Sequence, residues 1–427
     1  MKFTINYAEA SFKDFENIPE YGINERAKEL SLFLQYMDDN DRLNYRLGNQ
    51  SNAGATVLHI DKKTKELKER VSFVSNDYLG FSQHPLVKQA SIDSIIQYGT
   101  GAGSSPLIGG HYDYHDVLED KLCSFFGREK GAALVYTTGY TSNSASLQCL
   151  LQKEDIAILD MAVHSSVYEG CILTNTKRFL HNNLEMLERV LRDTQYKYRN
   201  KVVIIDGVYS QDGDMAPVKE MLYLCRKYGA LLVVDDAHGI GVIGNTGRGA
   251  LEYYDVLKEV DIITGTLSKT FGNIGGFVIS NPDLTQFLQY QSRQYAFSAA
   301  ATPAIAGVSK AIDLIDEEPQ WQSQLWENIN YFKNGLMEVG LDIGTTCSAI
   351  IPVKIGDPIK TGQVGKMLLD MGIYTNPILY PAVSKKDARI RMSVLATHSK
   401  EHLDKTLNAF EIINEKLEIA TLTELAY

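Results

Sequence analysis

The chain has 427 residues, 44% of them hydrophobic, which is enough for one large domain with a substantial core and a smaller second domain. Its 42 basic and 53 acidic residues give a formal net charge of −11, which disfavours a general affinity for nucleic acid but permits a local basic patch for an anionic substrate. No run approaches the roughly 18 apolar residues of a spanning helix, and charged residues occupy the place of a signal-peptide core, so we expect a cytoplasmic protein.

The first part of the chain, residues 1–84, is predicted to form a helical and hairpin segment. A charged helical pattern lies near residues 23–44. The stretch 56–74 alternates in hydrophobicity around the lysine-rich turn 62–68, which is typical of a β-hairpin. We expect this part to lie at a dimer interface and to embrace the partner subunit.

The central part, residues 85–315, is predicted to be the large domain. Short apolar runs alternate there with helical stretches, as a mostly parallel sheet requires. The predicted strands are 132–136, Ile156–Asp160, 202–206, Leu231–Asp235 and the run 261–266. The predicted fold class is therefore α/β.

The last part, residues 316–427, is predicted to be a smaller α/β domain. Segments 350–355 and 389–393 have strand patterns, and 361–371 and 400–416 have helix patterns. Gly372 fits the position of a helix stop.

The five cysteines suggest no chemistry of their own. They are odd in number and lack the paired spacing of metal ligands, so reduced core thiols are favoured and no metal site is expected.

Lys269 and Asp235 are the strongest functional candidates. Asp235 ends one apolar run and Lys269 follows the next, so both should lie at the carboxyl edge of the sheet, where ligands bind. A lysine amine can form a Schiff base with an aldehyde cofactor, and an aspartate can keep a pyridine nitrogen protonated. Together they predict pyridoxal 5'-phosphate (PLP). His238, three residues after Asp235, is close enough to reach a ring substituent such as the phenolate oxygen.

A phosphate site is predicted at residues 138–140. Gly139, before Tyr140, allows a close backbone approach, and a helix following from Thr141 would offer free amides and the positive end of its dipole. Thr266 can add a hydroxyl. An ordinary strand-to-helix turn is the alternative interpretation of Gly139. The presence of Lys269 in the chain favours the phosphate site over this alternative.

His164 follows the strand Ile156–Asp160 and should lie at the same edge of the sheet. Its imidazole could stack on a cofactor ring there. The alternative is a helix-capping or core histidine.

From about residue 45 to 417 the chain resembles the α-oxoamine synthase family of fold-type I PLP enzymes. The matching motifs stand in order along the chain: SNDYLG (75–80), GTGAGSS (99–105), HDVLE (115–119), TGYTSN (138–143), HSS (164–166), DGVYSQDGD (206–214), DDAH (235–238), GTLSKTFG (265–272) and RIR (389–391). The resemblance implies a homodimer whose sites are shared between subunits.

The same resemblance implies roles for residues near the cofactor. His164 would stack on the ring, and Ser210 would hydrogen-bond the phenolate oxygen beside His238. Ser298 and Ala299 would reach the phosphate from the neighbouring subunit.

Substrate contacts are also implied by the resemblance. Arg391 would hold the amino-acid carboxylate, for which a planar guanidinium is well suited. Asn76 and Ser105 would contact the substrate, and the alternative for Asn76 is a turn cap before Asp77. On a strand, Arg389 shares a face with Arg391, and it is either a solvent-facing charge or a contact for an anionic carrier.

Two positions depart from the family pattern. Pro106 stands where many relatives have arginine. Asn376 stands where members that make amino-oxononanoate have arginine, which puts biotin precursor synthesis in doubt. The segment 374–381, with 396–398, is closer to bacterial serine palmitoyltransferases, and glycine C-acetyltransferase is the other near relative.

The implied reaction is the condensation of a small amino acid, serine first, with an acyl-CoA or acyl-carrier thioester. Carbon dioxide is released and an α-amino ketone forms, as in sphingolipid-type lipid synthesis. Glycine, alanine and cysteate remain open as the amino acid. An aminotransferase and a catalytically silent partner subunit are further alternatives, although the presence of Lys269 argues against the second. A nucleotide-binding protein is disfavoured because its phosphate-loop motifs are missing.

Overall fold

The computed structural model describes residues 5–61 and 64–419. Within these residues the strands are β1 (Thr56–Ile60), β2 (Leu67–Ser72), β3 (Ala133–Tyr136), β4 (Ile156–Asp160), β5 (Asn175–Phe179), β6 (Lys201–Asp206), β7 (Leu231–Asp235), β8 (Ile262–Thr266), β9 (Gly276–Ile279), β10 (Ile350–Gly356), β11 (Ile373–Tyr374), β12 (Asn376–Ile378) and β13 (Ala388–Ser393).

The α-helices of the same residues alternate with these strands through most of the chain. They are α1 (Ile23–Asp39), α2 (Pro85–Tyr98), α3 (Asp113–Phe125), α4 (Gly139–Leu150), α5 (Ser165–Gly170), α6 (Leu184–Thr194), α7 (Val218–Tyr228), α8 (Ala250–Tyr253), α9 (Pro282–Gln291), α10 (Arg293–Phe297), α11 (Ala306–Glu317), α12 (Gln320–Glu338), α13 (Pro358–Asp370) and α14 (Lys400–Leu417). None of them is long and apolar enough to cross a membrane.

The chain forms two compact units. The larger comprises Asn76–Trp326 and Cys347–Ala349, and the smaller comprises the described residues of Met1–Ser75, Glu327–Thr346 and Ile350–Tyr427. The N-terminal hairpin falls in the smaller unit because β2 pairs in parallel with β11 from the C-terminal part of the chain. The three-part division predicted from the sequence, 1–84, 85–315 and 316–427, stays a prediction.

The larger unit is built on a seven-stranded sheet with the order β3-β9-β8-β7-β6-β4-β5. Strands β5, β4, β6, β7 and β8 are parallel, and β9 runs antiparallel to both of its neighbours. The mostly parallel α/β sheet expected from the sequence is therefore confirmed.

The central strands are mostly apolar because helices cover both faces of such a sheet. Every residue of β4, β6 and β8 is buried. A core cluster that includes Leu159, Ile204 and Val233 packs against α4 through Ala145 and Leu147. The sheet therefore holds the carboxyl ends of β6, β7 and β8 in fixed positions.

The smaller unit contains two three-stranded sheets, β1-β2-β11 and β10-β13-β12. The predicted hairpin is confirmed, with Thr56 opposite Val71 and Ile60 opposite Leu67. The predicted C-terminal strands and helices are also present, and Gly372 follows α13 with a φ of 80°.

The helix expected near residues 23–44 is wrong at its end, because α1 stops at Asp39. Asp41 has a φ of 55°, and the amide of Arg42 donates to the carbonyl of Met37 at 2.7 Å. This backbone geometry closes the helix and turns the chain away.

Candidate active site

A cavity of about 250 Å³ lies in the larger unit at the carboxyl ends of β6, β7 and β8. This is the edge at which parallel sheets bind ligands. Its walls are Thr138, Gly139, Tyr140, Asn143, His164, Asp206, Val208, Ser210, Asp235, Ala237, His238, Gly265, Thr266, Ser268 and Lys269. Within one subunit, the structure thus brings together eight of the residues that the sequence predicts to bind the cofactor.

Lys269 and His238 are in direct contact at the centre of this cavity. The Lys269 Nζ lies 2.8 Å from the His238 Nε2, and the Nδ1 of the same ring lies 2.6 Å from the hydroxyl of the buried Tyr78. The Tyr78 hydroxyl also donates to Asn76 at 3.4 Å. Asn76 is therefore connected to the cavity through Tyr78, although it does not line the cavity.

Asp235 ends β7 and is 7% exposed. Its carboxylate accepts hydrogen bonds from the Asn143 amide at 2.6 Å and from the backbone amide of Ala237 at 3.1 Å. These two donors hold the carboxylate in one orientation at the cavity wall, as a partner for a protonated ring nitrogen would require.

The start of helix α4 forms another part of the cavity wall. A Cβ on Gly139 would lie 2.6 Å from the Cβ of Thr266, so only glycine allows this approach. Thr138 caps the helix by accepting from the amide of Thr141 at 2.9 Å. The first amides of a helix and its dipole attract an anion, and the Thr266 hydroxyl lies beside them, so these residues fit the phosphate of PLP.

His164 caps helix α5 and also lines the cavity. Its Nδ1 contacts the Ser166 hydroxyl at 2.8 Å, and its backbone amide donates to Asp206 at 3.4 Å. Burial lowers its pKa, with Asp235 acting to raise it and Lys269 to lower it, so the ring is neutral near pH 7. His164 therefore both caps helix α5 and lines the cavity.

Asp206 is a buried carboxyl that the sequence analysis did not assign. It ends β6, stands in register with Asp235 on β7 and lines the same cavity. Its burial, together with the charge of Asp235, raises the pKa of Asp206 well above its ordinary value. Asp206 therefore contributes to the site by accepting the backbone amide of His164.

Ser210 lies on a tight turn between β6 and α7. The amides of Gly213 and Tyr209 close this turn by donating to the carbonyls of Tyr209 and Asp214, each at 2.9 Å. The turn brings Ser210 to the cavity wall.

Besides Asn76, four predicted site residues lie outside the cavity wall. Ser105 is buried, and its hydroxyl has no hydrogen-bond partner among the described residues. Ser298 and Ala299 are exposed at the end of α10. Arg391 is buried on β13 in the smaller unit, where its Nη1 donates to Ser393 at 3.0 Å. Their assigned roles stay predictions.

Three further residues have contacts that sequence reasoning did not foresee. Asn143, Ser166 and Tyr78 stand inside recognised motifs, and they contact Asp235, His164 and His238 respectively. Two of these hydrogen bonds, Asn143–Asp235 and Tyr78–His238, join residues far apart along the chain. Their presence in those motifs was the only available indication in the sequence.

A separate group of His111, Asp116 and Glu119 offers three side-chain atoms within 4.8 Å of one another. Asp116 pairs with His111 at 2.9 Å, and Glu119 accepts the amide of Val135 at 2.9 Å. Burial raises the pKa of Glu119 to about 8, so this acid is largely neutral at pH 7 and we assign no metal here.

Comparisons with known proteins agree with this geometry. Residues 68–410 match the family model for class I and II aminotransferases. The chain is 38% identical over 355 residues to 8-amino-7-oxononanoate synthase from Alkaliphilus metalliredigens, covering 82% of this chain and 89% of that protein. It is 36% identical over 346 residues to serine palmitoyltransferase from Bacteriovorax stolpii, covering 80% and 82% respectively.

The chain is also similar to solved structures of serine palmitoyltransferases. Serine palmitoyltransferase from S. paucimobilis, solved with a bound PLP–myriocin aldimine, superposes with a TM-score of 0.88 at 28% identity, covering 93% of this chain and all of that one. The Sphingomonas wittichii serine palmitoyltransferase superposes with a TM-score of 0.87 at 30% identity, covering 94% of this chain and all of that one.

Proposed function

The chain belongs to the class I and II aminotransferase family and, within it, to the PLP-dependent α-oxoamine synthases, and from this premise we propose that it condenses serine with a long-chain acyl thioester. The products would be carbon dioxide, the free thiol of the carrier and an α-amino ketone. The thioester carrier is CoA or an acyl carrier protein.

The convergence of Lys269 and Asp235 on one cavity with a helix amino terminus is the observation that supports PLP chemistry here. Bound PLP supplies an electron-accepting ring that stabilises negative charge on the α-carbon of an amino acid. Lys269 would hold the cofactor covalently at rest, Asp235 would face its ring nitrogen, and Gly139, Tyr140 and Thr266 would bind its phosphate.

The remaining residues would move and hold the reacting groups. The Lys269 amine would take the α-proton of the amino acid, with His238 in contact with that amine at 2.8 Å. His164 would cover the cofactor ring and orient the substrate carboxylate, and Ser210 would hydrogen-bond the phenolate oxygen. By family resemblance, Arg391 would bind the carboxylate.

Two features support serine as the amino acid. The solved structures with the high TM-scores given above are serine palmitoyltransferases. Asn376 on β12 pairs with Arg391 on β13. By family resemblance, the neutral Asn376 stands where members that make amino-oxononanoate have arginine, which argues against that product.

The second candidate is amino-oxononanoate synthesis. It is favoured by relatives of that name that are 36–39% identical to this chain. Such a product would require alanine and an acyl thioester with a terminal carboxylate, and hence a cationic group to receive that carboxylate.

Mass spectrometry of the products from a substrate panel distinguishes the two candidates. Serine, glycine, alanine and cysteate would each be paired with a long-chain acyl-CoA, acetyl-CoA and a dicarboxylic acyl-CoA, in separate reactions with the purified enzyme. The proposal expects the largest kcat/KM for serine with the long chain. The largest value for alanine with the dicarboxylic thioester would refute it and identify the second candidate.

A further inference from the structure

A continuous chain of hydrogen bonds joins Asp235 to His164 through two buried residues. Asn143 contacts Asp235 Oδ2 at 2.6 Å and the Ser166 hydroxyl at 3.0 Å, and that hydroxyl contacts His164 Nδ1 at 2.8 Å. Asn143 is 3% exposed and Ser166 is fully buried. Buried polar groups with few partners have few arrangements of their hydrogens.

The orientation of the Asn143 amide follows from its two neighbours. A carboxylate oxygen only accepts, so the Asn143 atom that faces Asp235 is the nitrogen. The Thr264 hydroxyl donates to Asn143 Oδ1 at 2.6 Å on the other side. The second N–H of the amide therefore points to the Ser166 hydroxyl oxygen.

The Ser166 hydroxyl has one hydrogen, and it must point to His164. Its oxygen accepts from Asn143, and because the backbone N–H of Ser166 can only donate, Nδ1 of the imidazole is an acceptor and receives the hydroxyl hydrogen as well. The backbone amide of Ser166 is directed at the same Nδ1 at 3.3 Å. A ring nitrogen that receives two donors is unprotonated, and the single proton of the neutral imidazole then sits on Nε2.

We propose that Ser166 and Asn143 are positioning residues that fix His164 as the tautomer protonated on Nε2. Nε2 has no hydrogen-bond partner among the residues that the structure describes, and His164 lines the cavity. The ring therefore presents a hydrogen-bond donor, and not a base, to whatever it contacts.

With this tautomer, His164 and Lys269 have different roles in the site. An N–H donor at Nε2 stabilises an anionic oxygen, such as the carboxylate of the amino acid, whereas the other tautomer would repel it. Proton removal then falls to Lys269. The identity of the anionic oxygen rests on the proposed function, but the tautomer itself does not.

Nitrogen-15 NMR of the PLP-bound enzyme labelled on histidine measures the tautomer directly. Protonated and unprotonated ring nitrogens differ in chemical shift, and comparison with the His164→Asn variant identifies the signals of His164. At pH 8 we expect a protonated Nε2 and an unprotonated Nδ1. A protonated Nδ1 in the wild type would overturn the proposal whether or not any amino acid is turned over.

Ser166→Ala, with Ser146→Ala as its control, tests the role of the hydroxyl. Ser146 is equally buried, but its hydroxyl bonds only to carbonyls of its own helix. We expect Ser166→Ala to give mixed tautomers and to raise the amino-acid KM about tenfold, as loss of a hydrogen bond to a charged group would do, with the thioester KM unchanged. Wild-type tautomer and KM in Ser166→Ala would contradict the proposal, and the NMR result on the wild type decides it if this variant does not fold.

Discussion

At Gly139 the site leaves no room for a side chain, since an added Cβ would lie 2.6 Å from the Cβ and 2.8 Å from the Oγ1 of Thr266. We expect Gly139→Ala to displace Thr266 from the phosphate position and to weaken PLP binding at least about tenfold, the loss of roughly one hydrogen bond to a charged group. Titration of the apoenzyme with PLP, followed by absorbance, measures this.

Gly362→Ala is the matched control for that substitution. Gly362 lies inside α13, and its added Cβ would meet no atom within 4 Å. It should leave the PLP dissociation constant unchanged. Equal weakening in both variants would mean that the effect at Gly139 is general destabilisation of the protein.

The two arginines of β13 provide a test of which residue binds the amino-acid carboxylate. Arg391 and Arg389 are both buried on one strand, and each donates a hydrogen bond to a nearby group of its own chain. We expect Arg391→Lys to raise the amino-acid KM by about thirtyfold, because a point charge cannot replace the two parallel hydrogen bonds of a guanidinium. Steady-state kinetics with varied amino acid measure this.

Arg389→Lys should have a much smaller effect on the same KM. Equal effects of the two substitutions would indicate a shared anion site, for example for a doubly charged amino acid such as cysteate. No effect at Arg391 would remove it from carboxylate binding.

Among single residues, the sequence predicts those whose side-chain type is suited to few chemical roles. Lys269, Asp235 and His238 could be recognised because few side chains suit PLP chemistry, and the structure brings them to one cavity. Asn143, Ser166 and Asp206 could not be assigned in advance, since their importance depends on distances between residues on different strands and helices.

At the scale of elements, His181 connects the turn after β6 to the end of β4. Its ring contacts Asp160 at 3.2 Å and Asp214 at 2.9 Å, and it meets the Tyr209 ring edge-on. Burial lowers the pKa of His181, but the hydrogen bonds to the two carboxylates and their charges raise it to about 10. The turn that holds Ser210 is thus stabilised by a charged histidine.

This raised pKa predicts how stability should depend on pH. The folded-state pKa lies above the ordinary value of 6.5, so the contribution of the charged ring is complete below pH 6.5 and is lost as pH rises towards 10. We expect His181→Gln to lower the thermal midpoint more at pH 6.5 than at pH 10. An equal decrease at both pH values would contradict a charged His181.

The strands of the large sheet differ in how well the sequence predicts them. Strands β4, β6, β7 and β8 were predicted because they are short apolar runs buried on both faces. Strand β5 was missed because it is an edge strand with only Phe179 buried, and no hydrophobic pattern identifies it. Strand β9 is antiparallel, and its pairing is determined by its neighbours β3 and β8.

At the scale of the whole molecule, the family resemblance predicts a homodimer with shared sites. Ser298 and Ala299 are exposed in the single chain, and Phe297 beside them is 74% exposed. We expect the active enzyme to be a dimer and Ser298→Ala to weaken PLP binding by roughly tenfold through loss of a charge-assisted hydrogen bond. A fully active monomer, shown by light scattering under assay conditions, would refute the shared site.

We infer that this chain joins an amino acid to an acyl thioester with loss of carbon dioxide. Simultaneous measurement of free thiol and of labelled carbon dioxide from carboxyl-labelled serine tests it most directly, with Lys269→Ala as the inactive control. We expect equal amounts of the two products, each formed only when both substrates are present and only by the enzyme with Lys269. Transfer of the amino group to a keto acid without thioester consumption, or thiol release without carbon dioxide, would contradict it.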